Sequence, residues 1–216
     1  MDGLVVVAAC DKNMPGALMS MARLNVPSVF VYGGAILPGS FNGNDINIQD
    51  MFEAIGAYSQ GKISHDELVE MERVACPGEG ACSGMFTANT MSSAIEALGM
   101  SIPGAASIPA VDPRINTPAY DVGSIMYKLL ENDLKPRDIM TYEAFENAIR
   151  VVLSMGGSTN AVLHILAICK TANIDFNIDD FQRISEETPF LANLKPSGKY
   201  LMEDLHLDMN QKLKSL

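Results

Sequence analysis

An α/β fold, helix-rich and layered α/β/α around a mainly parallel sheet, is what the 216 residues predict. Three observations lead there. Leu4 to Ala9 ("LVVVAA") is an unbroken apolar run rich in β-branched residues, and Ser28 to Tyr32 ("SVFVY") is a second. A segment of helical composition, "PGALMSMARLN", separates them. Strand, helix and strand within about 30 residues form a βαβ unit, with parallel strands and a right-handed crossover. Most of the remaining chain carries helical patterns, with no internal repeat and no low-complexity tract.

The first strand, being continuously apolar, reads as buried on both faces. Pro15 suits the first position of the helix that follows, and Pro27 stops that helix. Gly33 and Gly34 end the second strand, and "LPGSFNGND" (Leu37 to Asp45) is a turn-rich loop. Helices are predicted at about 48–60 and 64–75, the second opened by Ser64 and Glu67 as a capping box. "CPGEGACSG" (Cys76 to Gly84) is a glycine-rich loop, and "MFTANTMSSAIEAL" is a helix closed by Gly99. "IPGAASIPAVDPRINTP" holds too much proline for a helix. Helices follow at about 121–131 and 142–155, "GGSTN" (Gly156 to Asn160) interrupts, "AVLHILAICKTAN" resumes, and a last helix covers about 179–186.

Composition narrows the function. An apolar share of 48% against 19% charged describes a packed globular chain, and no apolar run is long enough to cross a bilayer. Twenty-six acids against 15 bases give a net charge of −11, which argues against nucleic acid as a partner. No basic segment followed by an apolar one opens the chain, and the four cysteines fit a reduced compartment, cytoplasmic or an organelle interior in a eukaryote. The 14 methionines and absent tryptophan point to adaptable core filling.

Three stretches could carry chemistry. Cys10, Asp11 and Lys12 follow the first strand, where ligands of parallel α/β sheets collect. The helix behind them would favour a thiolate at Cys10, the form that binds soft metals and iron–sulfur clusters. Asp11 offers a hard oxygen suited to magnesium. The competing reading has Cys10 filling an apolar slot, Asp11 capping the helix and Lys12 solvated. Cys76 and Cys82 flank the second loop at a spacing that matches neither zinc ribbons nor thioredoxin motifs. The glycines there expose backbone N–H groups, as a phosphate or nucleotide binder would, but neither a Walker lysine nor a G-x-G-x-x-G follows. In "GGSTN", Ser158 or Thr159 can cap the next helix, and the turn with Asn160 is either an ordinary connection or a substrate site. His164 and Cys169 read as core, while His65 and His206 read as exposed and unassigned.

Taken together, "ACDKNMPG", "CPGEGACSGMFTANTM" and "GGSTNAVLH" resemble the dihydroxyacid dehydratase and 6-phosphogluconate dehydratase family. "FVYGGAILPG", "AVDPR", "DDFQRIS" and "PSGKYLMEDLH" resemble its dihydroxyacid branch. The resemblance implies a hydro-lyase that converts a small 2,3-dihydroxy-3-methyl acid to a 2-keto acid in branched-chain amino-acid biosynthesis. Alternatives within it are a sugar-acid dehydratase or a binding module that keeps only the fold. It implies an iron–sulfur cluster, [2Fe–2S] or [4Fe–4S], with Cys10 and Cys82 among its ligands, and Mg2+ held by Asp11 and a carbamylated Lys12. Cys76 matches no family ligand. Ser158, Thr159 and Asn160 would lie against substrate.

The same resemblance implies that residues 1–206 are part of an N-terminal dehydratase domain and that 207–216 form a divergent tail. The remaining cluster cysteine, further magnesium carboxylates and the serine proposed as base would lie outside this sequence, the last in a C-terminal β-barrel-like domain. No catalytic base is therefore assigned here. The chain alone is expected to be inactive, and the intact enzyme to be a homodimer.

Overall fold

The computed structural model describes residues 1–207, so all but the first residue of the tail assigned to 207–216 lies outside the described residues. Strand β1 (Leu4–Ala8) pairs in parallel with β2 (Ser28–Tyr32), in the register Leu4 to Ser28 through Ala8 to Tyr32. Helix α1 (Asn13–Leu24) connects them, completing the expected βαβ unit. The parallel arrangement continues as single bridges: Phe30 with Ser101 beside β2, and Ala35 with both Ala81 and Pro109 beyond its end. Two further strands, β3 (Gly39–Phe41) and β4 (Asn44–Ile46), form a separate antiparallel hairpin.

The helices are α2 (Ile48–Ser59), α3 (His65–Val74), α4 (Thr87–Ala97), α5 (Asn116–Glu131), α6 (Pro136–Ile139), α7 (Tyr142–Ser154), α8 (Asn160–Ala172) and α9 (Ile178–Glu187). The molecule is thus α/β and helix-rich, layered about a small parallel sheet. Helix α4 is its spine. Every residue from Thr87 to Ile95 is buried, because α1, α7 and α8 all pack against it. Five methionines take part in the core around it, Met14, Met21, Met91, Met100 and Met140, each at most 1% exposed. Unbranched methionine suits the irregular spaces where several helices meet a short sheet.

Several local expectations give way. β2 is buried throughout, but β1 is not: Val5 and Val7 are 42% and 69% exposed. The register explains this, since those two residues share a sheet face with Val29 and Val31, and α5 lies beside β2 without reaching across β1. A continuous apolar run therefore marks a strand with one open face here. Helix α1 starts two residues early, so Pro15 occupies its third position, still within the first turn where a missing N–H costs nothing.

The loop at Leu37 to Asp45 contains the β3–β4 hairpin, with Asn42 and Gly43 both at positive φ as a two-residue Asn-Gly turn requires. Ser64 caps α3 by accepting the Glu67 N–H at 3.1 Å. Reciprocal capping boxes are formed instead by Asn47 with Asp50 at the start of α2 and by Asn177 with Asp180 at the start of α9. Helix α5 begins at Asn116, ahead of the expected 121, because Asp112 and Pro113 nucleate a 3₁₀ turn that runs into it. Short α6 was not expected. His206 is buried, not exposed, with Nδ1 3.2 Å from the Ser107 hydroxyl.

Candidate functional site at the end of the parallel strands

Beyond Ala8 the chain leaves the sheet and turns into α1 within four residues, which puts Cys10, Asp11 and Lys12 in one short bend. The bend is tied mainly to itself. The Cys10 N–H donates to Asn13 Oδ1 at 3.1 Å, and the Cys10 thiol donates to Asp11 Oδ1 at 3.5 Å. Cys10 is exposed.

The second bend, Cys76 to Gly84, is tied to the rest of the molecule. Ala81 N–H donates to Gly34 O at 2.9 Å, and Ile36 N–H donates to Ala81 O at 2.7 Å, so the loop borrows a place in the parallel sheet. Gly80 makes that approach possible. Its φ is +126°, and a Cβ there would stand 2.5 Å from the Ile36 nitrogen. Met85 N–H donates to Lys195 O, and Met202 N–H donates to Ser83 O, closing the loop from the other side.

The two bends face each other across a cavity of about 520 Å³. Cys10, Asp11, Cys76 and Cys82 all line it, together with an apolar wall that includes Ile36, Ile48 and Phe86. Half-buried Cys82 has its thiol pushed above the ordinary value, first by burial and then by negative charge at Cys10, Asp11 and Cys76. The cavity thus concentrates soft and hard electron donors. Among the described residues, no three His, Cys, Asp or Glu side chains come together closely enough to hold a metal ion by themselves.

Lys12 lies at the edge of this arrangement. Its Nζ stands 3.4 Å from Asp11 Oδ2 and 3.3 Å from Nε2 of His164, which α8 brings across from far along the chain. An ammonium can only donate, so His164 Nε2 accepts and the ring proton resides on Nδ1. Burial holds the His164 pKa below its ordinary value, the Lys12 charge adds to this, and Asp11 opposes it. His164 is buried, as its apolar helix suggested, yet its polar edge is used.

The Gly156 to Asn160 turn reaches the cavity through Thr87, which lines it at the first position of α4. The Thr87 and Ser158 hydroxyls pair at 3.0 Å, and Asn160 Nδ2 donates to Thr87 Oγ1 at 3.0 Å. Ser158 N–H donates to Thr90 Oγ1 at 2.9 Å. Thr159 occupies the cap position of α8 without a side-chain cap, and Ser158 Oγ instead accepts the Asn160 N–H at 3.3 Å. Ser158, Thr159 and Asn160 are not among the residues lining the cavity itself. Cys169 is fully buried in α8, its thiol pushed up to about 12 mainly by burial, and takes no part.

Sequence reasoning missed three participants. Cys76 was set aside yet lines the cavity, His164 was read only as core, and Asn89 was not considered. The signal for Asn89 was present: "TANTMSS" puts a run of polar residues in a helix whose other neighbours are apolar, and buried polar side chains demand partners.

Comparison with known proteins agrees with the motifs. Residues 1–208 match the family model described as dihydroxy-acid/6-phosphogluconate dehydratase N-terminal. The chain is 55% identical over 208 residues to a protein named dihydroxy-acid dehydratase 2 from Staphylococcus saprophyticus, covering 96% of this chain and 36% of that relative. It is 56% identical over 205 residues to a dihydroxy-acid dehydratase of Sulfurisphaera tokodaii, covering 95% of this chain and 37% of the relative. It is also 56% identical over 204 residues to one of Cytophaga hutchinsonii, covering 94% and 36%. The chain therefore spans a little over a third of the length of the curated relatives it matches.

Proposed function

This chain belongs to the dihydroxy-acid/6-phosphogluconate dehydratase family, and we propose that it forms the part of a 2,3-dihydroxy-acid hydro-lyase that presents Cys10 and Cys82 to an iron–sulfur cluster and Asp11 with Lys12 to magnesium. One observation carries this reading: two thiols remote in sequence line the same cavity, with a carboxylate adjoining the first. Among the described residues, no helix is long and apolar enough to cross a membrane.

The donor set fits such groups. Soft thiols and a hard carboxylate crowd one cavity, and negative charge at Cys10, Asp11 and Cys76 adds to the burial that makes Cys82 harder to ionise, a cost that a bound cationic centre relieves. Ser83 adds to this. It lines the cavity and is 3% exposed, and its hydroxyl has no hydrogen-bond partner among the described residues. A buried hydroxyl without a partner costs about 1–3 kcal/mol, which an acceptor inside the cavity removes. When bound, the cluster and magnesium supply Lewis acidity for a departing hydroxyl and for an α-hydroxy carboxylate.

The chain's own residues then have definite tasks. Cys10 and Cys82 donate sulfur, and Asp11 donates oxygen. Lys12, the position that the family resemblance marks for carbamylation, is oriented by the acceptor nitrogen of His164. Thr87 carries the Ser158 and Asn160 turn to the cavity edge. Ile36, Ile48 and Phe86 exclude water from one wall and suit a hydrocarbon substituent. Among the described residues none of the lining side chains is Lys or Arg, which supports a branched-chain dihydroxy acid over a phosphorylated sugar acid.

The test is anaerobic reconstitution of the 216-residue chain with ferrous iron and sulfide, read by iron content and visible absorbance. The wild type should hold a coloured centre. Cys10→Ser and Cys82→Ser should each lose it, while Cys76→Ser should retain it. An undiminished chromophore in both of the first two variants would overturn the assignment. The chain alone is expected to bind iron without dehydrating substrate, since its donor set is partial.

A further inference from the structure

The loop bearing Cys82 is fastened by one buried amide to which no donor role has been given. Asn89, third residue of α4, is 0% exposed. Its Nδ2 donates to the Cys82 carbonyl at 2.5 Å and to the Gly84 carbonyl at 2.6 Å. Its Oδ1 accepts from the Tyr32 hydroxyl at 2.6 Å. Both amide hydrogens and the oxygen are therefore engaged. Asparagine is a poor helix former, and a buried amide costs free energy unless paired. The site tolerates it because all three partners are in place.

Those partners span the molecule's two donor bends. Tyr32 is the last residue of β2 and pairs with Ala8, the last residue of β1, and the next residue's N–H (Gly33) donates to Ala8 O at 3.1 Å. Cys10 lies two residues beyond Ala8. The Tyr32 hydroxyl is 1% exposed as a residue and sits under the helix layer, so its bond to Asn89 is shielded from water. A single chain of short contacts thus runs from the strand end that launches Cys10, through Tyr32 and Asn89, to the backbone of Cys82.

We propose that Asn89, seated by Tyr32, is a positioning residue that fixes the Cys82 thiol relative to Cys10 across their shared cavity. The purpose of that spacing rests on the dehydratase reading above, whereas the mechanical link does not. Its measurable consequence is that Cys82 is locally protected by Asn89 independently of the stability of the whole fold.

The experiment uses the metal-free full chain and iodoacetamide, with alkylation of each cysteine followed by mass spectrometry. Cys169, buried in α8, reports global loosening, and Cys10 reports the opposite bend. Asn89→Ala should accelerate alkylation of Cys82 about tenfold, the equivalent of a net hydrogen bond or two, with Cys10 and Cys169 unchanged. Tyr32→Phe, which keeps the packed ring and removes only the hydroxyl, should accelerate Cys82 about threefold. It also keeps the test valid if Asn89→Ala does not fold. An unchanged Cys82 rate in the folded variants overturns the proposal. So does a rise matched at Cys169. In the reconstituted chain, bound iron should fall with the same ranking, and equal iron in wild type and variants overturns the positioning role while leaving the dehydratase reading intact. Absence of iron from the wild type defeats that reading instead, and the alkylation rates then decide this proposal alone.

Discussion

Two cysteine-bearing bends precede two helices in this molecule, yet they are built in opposite ways. The Cys10 bend leaves an edge strand with an open face, is held mainly by contacts within four residues with Lys12 alone reaching across to His164, and leaves its thiol exposed. The Cys82 bend enters the sheet through Ala81, is braced from the far side by Lys195 and Met202, and is fastened beneath by Asn89. One donor is free to adapt while the other is held. Preorganising one ligand and leaving its opposite adjustable lowers the ordering cost of closing a site without demanding perfect geometry at every atom.

Four substitutions would break or sharpen that contrast, taken from the largest effect down. Gly80→Ala would force a Cβ against the backbone of Ala35 and Ile36 at a φ of +126°. It should destabilise the chain by roughly 3 kcal/mol or more in denaturant titration. If Gly80→Ala were neutral, the Cys82 bend would not be the rigid partner. Tyr32→Phe leaves Asn89 Oδ1 without its donor and should loosen the Cys82 bend alone, by about 0.7 kcal/mol, read as the threefold rise in Cys82 alkylation with little change in the denaturant transition of the whole chain.

On the other bend the sign reverses. Gly16 lies in α1 with nothing within 4 Å of a Cβ built on it, so Gly16→Ala should stabilise the chain by about 0.5–1 kcal/mol. The smallest effect is electrostatic. Asp11 is one of the charges that raise the Cys82 pKa, after burial and Cys10, so Asp11→Asn lowers that pKa and enlarges the thiolate fraction at pH 8. Cys82 alkylation there should quicken roughly twofold, an advantage that disappears once the pH rises past the thiol's ionisation.

Much of this was legible in the residues. The βαβ unit and the helices after the Leu37 to Asp45 and Cys76 to Gly84 loops follow from apolar runs, prolines and caps, and the family resemblance groups Cys10 with Cys82, which line one cavity. What escaped was decided by neighbours that lie far off in the chain. The open face of β1 depends on how far α5 extends across the sheet, which no pattern in "LVVVAA" encodes. The polar use of His164 depends on α8 passing Lys12, and an apolar helix context hides it. Asn42-Gly43 is a local hairpin signal that surrounding turn formers obscured. Asn89 is a polar residue inside a buried helix, a position whose need is set by Tyr32 and the Cys82 loop and so by tertiary structure.

The buried methionines give the protein a built-in recorder of its own opening. Met14, Met21, Met91, Met100 and Met140 are sealed from solvent, so dilute peroxide reaches their sulfurs only when the helices part. Each sulfoxide formed then places a polar, chiral group where a pliable one had been, and the packed state cannot readily be regained. Oxidation of this interior is therefore a ratchet: brief excursions that would otherwise leave no trace accumulate as marks that last until a reductase removes them.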